Sequence, residues 1–200
     1  MRPWLRTRHL WVFAGTAVAC AVGLGVLQGG RIAVPIVLGR DGVALWSTFL
    51  PLAWAIAVAD CFSSKLQSAE IRPSQRVLAL DTALLLVMAA TGVAVFSTLA
   101  GPHESATAAA GHVLAMTGIA CSFTLVGGPG LGVLVSSGLL IATTFYAVDA
   151  PGGRYVRVFQ PDGAPAVALL VGVLACLVAG ALILGDRAQV RLGATAGPED

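Results

Sequence analysis

The sequence predicts an all-α fold, a polytopic membrane helix bundle of about six transmembrane helices that forms a single transmembrane domain over residues 1–200. Three observations carry that reading. The chain is 57% hydrophobic and 11% charged, whereas soluble domains carry roughly 25% charged residues. Its mean hydropathy is +0.87. Its apolar residues fall into six long runs, and a bilayer core of about 30 Å takes about 20 helical residues to cross. Backbone polar groups cannot stay bare in lipid, so these runs are expected to be helices.

The first run, 10–28, follows Arg2, Arg6 and Arg8, with Trp4 and Trp11 suited to an interfacial belt. Such a start also fits a signal peptide, and Ala17-Val18-Ala19-Cys20 has some likeness to a lipoprotein cleavage site. The apolar run continues past Cys20, which favours an uncleaved first helix. The second run, 43–61, is separated from the first by Gly29-Gly30 and Gly39-Arg40-Asp41-Gly42. The third, 77–99, follows a polar link at 62–76. The fourth, 107–126, follows Gly101-Pro102, and Gly127-Gly128-Pro129-Gly130 turns it into the fifth, 131–148. The sixth, 164–185, follows Pro151-Gly152-Gly153 and Pro161-Asp162-Gly163. Links this short leave no space for a folded soluble domain.

Charge in the short links sets orientation. With the amino terminus inside, the cytoplasmic side holds Arg2, Arg6, Arg8, Lys65, Arg72, Arg76, Arg187 and Arg191. The outer side holds Arg31, Arg40, Arg154 and Arg157. The excess predicts both termini inside, in a multi-pass protein of a bacterial plasma membrane. A net charge of +2 gives no case for nucleic acid.

The sequence has no GxxxxGK[ST] phosphate loop, HExxH or GxSxG. His9, His103 and His112 are far apart, and Cys20, Cys61, Cys121 and Cys176 form no CxxC pair. The expectation is therefore no enzyme, no catalytic residue, no metal and no cofactor, with the cysteines as small apolar packing residues.

Asp60, at the end of the second predicted helix, and Asp81, about one turn into the third, are the charges that matter most. Each either sits at headgroup level, where a carboxylate costs less than at mid-membrane, or lines a watery vestibule or pairs with Arg72 or Arg76. Pro51 is expected inside the second helix, as a kink that serves as a hinge or has no moving role. His112 either makes an interhelical contact or faces a cavity. Ala168, Gly172, Cys176 and Gly180 form a small-residue stripe that lets another helix approach, within the monomer or across a dimer seam. In the polar link, Lys65, Glu70, Arg72 and Arg76 either present a docking surface or form a solvated loop that sets topology.

This layout resembles the type-2 ABC transporter permeases, and in particular small permease-like membrane proteins of actinobacteria. The residues that carry the likeness are Phe49-Leu50-Pro51-Leu52-Ala53-Trp54, Glu70-Ile71-Arg72-Pro73 with Arg76, the run from Gly111 to Gly118, and Phe159-Gln160-Pro161. The resemblance implies that the second link acts as a coupling segment docking a separate ATPase subunit, with Lys65, Glu70, Arg72 and Arg76 as contacts. It also implies that two permease copies, alike or different, form the pathway of an exporter in the lipid bilayer. The sequence departs from that pattern at Arg72-Pro73, which shortens the coupling segment, and at His112, where relatives carry Asn. The alternative is a non-transporting membrane protein that acts in assembly, immunity or scaffolding.

Overall fold

The computed structural model describes residues 8–26, 31–35, 41–45, 49–67, 75–99, 105–145 and 165–195, with side chains described at 8–26, 49–63, 77–99, 105–142 and 165–185. Among these residues six helices form: α1 (Leu10–Val26), α2 (Leu50–Gln67), α3 (Gln75–Thr98), α4 (Ala106–Gly127), α5 (Pro129–Phe145) and α6 (Pro165–Thr195). An antiparallel hairpin of β1 (Arg31–Pro35) and β2 (Asp41–Leu45) joins α1 to α2, with Arg31 opposite Leu45 and Pro35 opposite Asp41.

Each predicted helix has a counterpart, and the boundaries differ most at the start of the second and the end of the sixth. Residues 43–45 were expected in the second helix and are strand. Val43 pairs with Ala33 and Ala44 with Ile32, and the β-branched Val and Ile residues of the two strands suit such a ladder. The sixth helix continues to Thr195, beyond the expected end near 185. The apolar run ends there, but Ala, Gln, Arg and Leu remain good helix formers.

Among the described residues three helices are long and apolar enough to cross a membrane: Val77–Thr98, Ala106–Gly127 and Pro165–Gly185. The apolar parts of α1, α2 and α5 are shorter, at Leu10–Val26, Leu50–Ser63 and Pro129–Ala142. A 17-residue helix such as α1 spans about 25 Å, a little under the hydrocarbon thickness.

α4 is the centre of the bundle. It packs on α2, α3, α5 and most extensively on α6, and twelve of its residues are buried. The α4–α6 contact is parallel and close. A Cβ built on Gly111 would collide with the Ala168–Leu169 peptide, and one on Gly118 with the Ala175–Cys176 peptide. In return, a Cβ on Gly172 would lie 2.5 Å from the Gly111 carbonyl oxygen. Small residues on both helices therefore bring the two backbones together, which is how helices gain dispersion energy where lipid removes any hydrophobic drive. The Cys176 thiol closes the seam by donating to the Leu114 carbonyl at 3.3 Å. The stripe on α6 thus packs within the monomer at Ala168, Gly172 and Cys176, whereas Gly180 has open space around its Cα.

The α4–α5 turn uses Gly128 at φ 89, the left-handed region that glycine enters without strain. Its N–H donates to the Thr124 carbonyl at 2.9 Å, closing α4 before Pro129 starts α5.

Candidate functional site

Chemistry-bearing side chains gather at one end of the bundle, where α1 starts, α2 passes its last two turns and α3 begins. Arg8 precedes the first turn of α1. Its guanidinium grips Asp81 of α3 with both carboxylate oxygens, at 2.8 and 2.7 Å. It also donates to the Cys61 carbonyl of α2 at 3.4 Å and lies over the Phe62 ring, 5.9 Å from its centroid. Both charged side chains are buried, at 4% and 0% exposure. One planar cation thus ties three helices together: its Nη2 donates to both Asp81 oxygens while Nη1 reaches the Cys61 carbonyl.

The next residue repeats the theme in a wetter setting. His9 Nδ1 lies 3.0 Å from Asp60 Oδ2, with both side chains about half exposed. His9 has φ 47, a left-handed backbone uncommon outside glycine. Its carbonyl accepts from the Val12 N–H at 2.8 Å and so opens the helix. That turn lets consecutive residues face different helices, Arg8 towards α3 and His9 towards α2.

Deeper in the bundle an aromatic cluster fills the space between α1, α2, α3 and α4. Trp54 is fully buried. Phe13 of α1 meets it edge-on at 5.0 Å and Phe96 of α3 at 6.0 Å between centroids, the offset arrangements aromatic rings prefer. Its indole N–H donates to Thr117 Oγ1 of α4 at 3.1 Å, and Thr117 in turn donates to the Val113 carbonyl at 2.7 Å. Gly92 leaves the room for the indole, because a Cβ there would lie 3.1 Å from two ring atoms.

The structure revises the sequence-based placements in several respects. Asp81 was weighed as a headgroup-level carboxylate or a partner of Arg72 or Arg76. It is buried, and Arg8 is its partner. Asp60 does not end its helix, since α2 runs on to Gln67. Pro51 is the second residue of α2 rather than an internal kink. Its missing N–H falls among the donors that a first turn leaves unsatisfied anyway. Lys65 and Arg76 belong to α2 and α3 rather than to a long link, although their side chains lie outside the described residues. Glu70 and Arg72 lie wholly outside them, as do Phe159, Gln160 and Pro161. His112 is buried in α4 among Gly111 and Val113, well away from the ionic end.

Arg8 was legible only as a positive charge that orients the chain, and His9 only as one of three scattered histidines. The signal that could have found the pair is Asp81 itself. A carboxylate one to two turns inside an apolar helix needs a counter-charge, and Arg8 directly borders the start of another apolar run at that end. Among the described residues no group of three or more His, Cys, Asp or Glu could hold a metal ion. The arrangement offers fixed charge pairing and a polar-tipped aromatic cluster. Comparison with family models, curated proteins and solved structures returned no match.

Proposed function

We infer that the chain is a membrane-spanning permease subunit of an ATP-driven exporter, working with a separate ATPase. In this reading all six helices cross a bacterial plasma membrane, with both termini and the Arg8–Asp81 end facing the cytoplasm. The observation that carries it is the continuation of α2 past the ionic layer. From Asp60 to Gln67 the helix runs on, a rise of about 10 Å, and α3 starts again at Gln75. Only 68–74 remain as the link. This helical extension of α2, with Lys65 on it, Arg76 at the start of α3 and Glu70 and Arg72 in the sequence between, suits a surface on which a soluble ATPase docks and through which its movement reaches α2 and α3. Charged side chains at such a rim fix orientation and partner choice.

The excess of Arg and Lys at this end supports the orientation. The alternative, a non-transporting assembly, immunity or scaffold protein, draws support from the close α4–α6 packing and the filled Trp54 cluster. Those features suit a bundle that presents a fixed surface.

A pull-down of the tagged, detergent-solubilised protein, from membranes that also contain the candidate ATPase, separates the two. The exporter reading expects an ATPase to be recovered, and to be lost with the Glu70→Ala/Arg72→Ala variant. Recovery of none, from membranes in which it is expressed, would transfer the case to the non-transporting reading.

A further inference from the structure

α1 is held differently at its two ends. Along its length only Phe13, Cys20 and Leu24 are buried, while Trp11, Val18, Val22 and Val26 are exposed. Where it approaches the start of α2 the contacts are close and ungrippable by charge. The Cys20 thiol donates to the Leu50 carbonyl at 3.8 Å, and a Cβ on Gly23 would lie 3.3 Å from the Leu50 side chain. At the opposite end the hold is ionic, through Arg8 on Asp81 and Cys61 and His9 on Asp60. Between the two ends Phe13 covers one edge of Trp54.

We propose that α1 is a gate that pivots at its Cys20–Leu50 end and is bolted shut at the other end by Arg8–Asp81, closing over the Phe13–Trp54–Phe96 cluster. In lipid, apolar contacts discriminate poorly between closed and open arrangements, because acyl chains replace a departing Phe13 at little cost. A buried, hydrogen-bonded ion pair discriminates well, since neither charge finds a substitute partner in lipid. The bolt is therefore what makes the closed position distinct. The left-handed turn at His9 is the irregular backbone that brings Arg8 inward, and such outliers concentrate at switch regions. Opening would expose the Cys61 region of α2 first and the Cys20 end last. This inference stands on the fold and not on the exporter reading.

The test uses the four native cysteines, all of them free thiols. The full-length protein in detergent is pulsed with a maleimide, and adducts at each cysteine are read by mass spectrometry. In the wild type Cys61 is expected to be protected. In Asp81→Asn it should label at least about tenfold faster, a shift in local opening of the kind exchange methods resolve. Cys20 should change less and Cys121 of α4 not at all. The charge swap Arg8→Asp/Asp81→Arg should bring Cys61 back towards protection. If Asp81→Asn does not accumulate, Arg8→Lys keeps the charge, loses the second nitrogen that reaches the Cys61 carbonyl and should give an intermediate rate. Unchanged labelling of Cys61, or a parallel rise at Cys61 and Cys121 that marks loosening of the whole bundle, would overturn the gate. No ATPase is needed, so this result and the pull-down fail independently.

Discussion

Asp81→Leu is expected to destabilise the detergent-solubilised protein by about 3–5 kcal/mol, the usual consequence of leaving one half of a buried ion pair in place. Arg8 would keep its charge at a buried site while losing both carboxylate bonds, at 2.8 and 2.7 Å. The value should fall towards the low end of that range. Arg8 stands before the first turn of α1, and a long side chain so placed can reach for the interface. The double variant Arg8→Met/Asp81→Leu should recover much of the loss, because apolar replacement of a buried pair is often neutral or better. Thermal unfolding followed by circular dichroism checks both. A single variant that melts with the wild type would mean that Arg8 and Asp81 do not hold the helices together.

Gly118→Leu is expected to be at least as severe, by a different route. The new side chain would meet the Ala175–Cys176 peptide of α6, which is main chain and cannot turn aside as a side chain would. Overpacking of this kind costs about 1–3 kcal/mol and more where nothing yields, so about 3 kcal/mol or above is expected here. Gly111→Leu, against the Ala168–Leu169 peptide, should behave alike. Gly180→Leu is the control. No atom lies within 4 Å of a Cβ built there, and the change should stay within about 0.5 kcal/mol. Melting temperatures of the three variants in one detergent decide the matter. Equal tolerance at 118 and 180 would place the small-residue seam elsewhere.

These two variants also mark what the sequence could and could not reveal. Helix number and approximate position were legible because apolar length is a one-dimensional property that lipid enforces along the chain. The small-residue stripe on α6 was legible as spacing, but not its partner. The match is Gly111 and Gly118 on α4, seven residues apart, and pairing between helices is not encoded in either one alone. The ionic cluster was half legible. Asp81 stood out as a charge in apolar surroundings, yet its partner lies 73 residues away in sequence, beyond the reach of the nearer Arg72 and Arg76 that local reasoning favours. Pro51 misled because an apolar run was taken to be helix from its first residue. The β1–β2 hairpin took residues 43–45 and moved the helix start to Leu50, where a proline is at home. Trp54 and Thr117 were invisible as a pair for the same reason as Arg8 and Asp81: contacts between elements follow from packing.

The measurement that bears most directly on the central claim, a six-helix bundle crossing the membrane with both ends inside, is a topology map of the protein in its host membrane. Reporter fusions placed after Leu38, Glu70, His103, Gly128, Gly153 and Ala196 would sample each side in turn. The account expects cytoplasmic signals at Glu70, Gly128 and Ala196 and external signals at Leu38, His103 and Gly153. Leu38 and Glu70 on the same side, or Gly128 outside, would contradict it, because α1, α2 and α3 could not then alternate across the bilayer with Arg8, Asp60 and Asp81 gathered at its inner face.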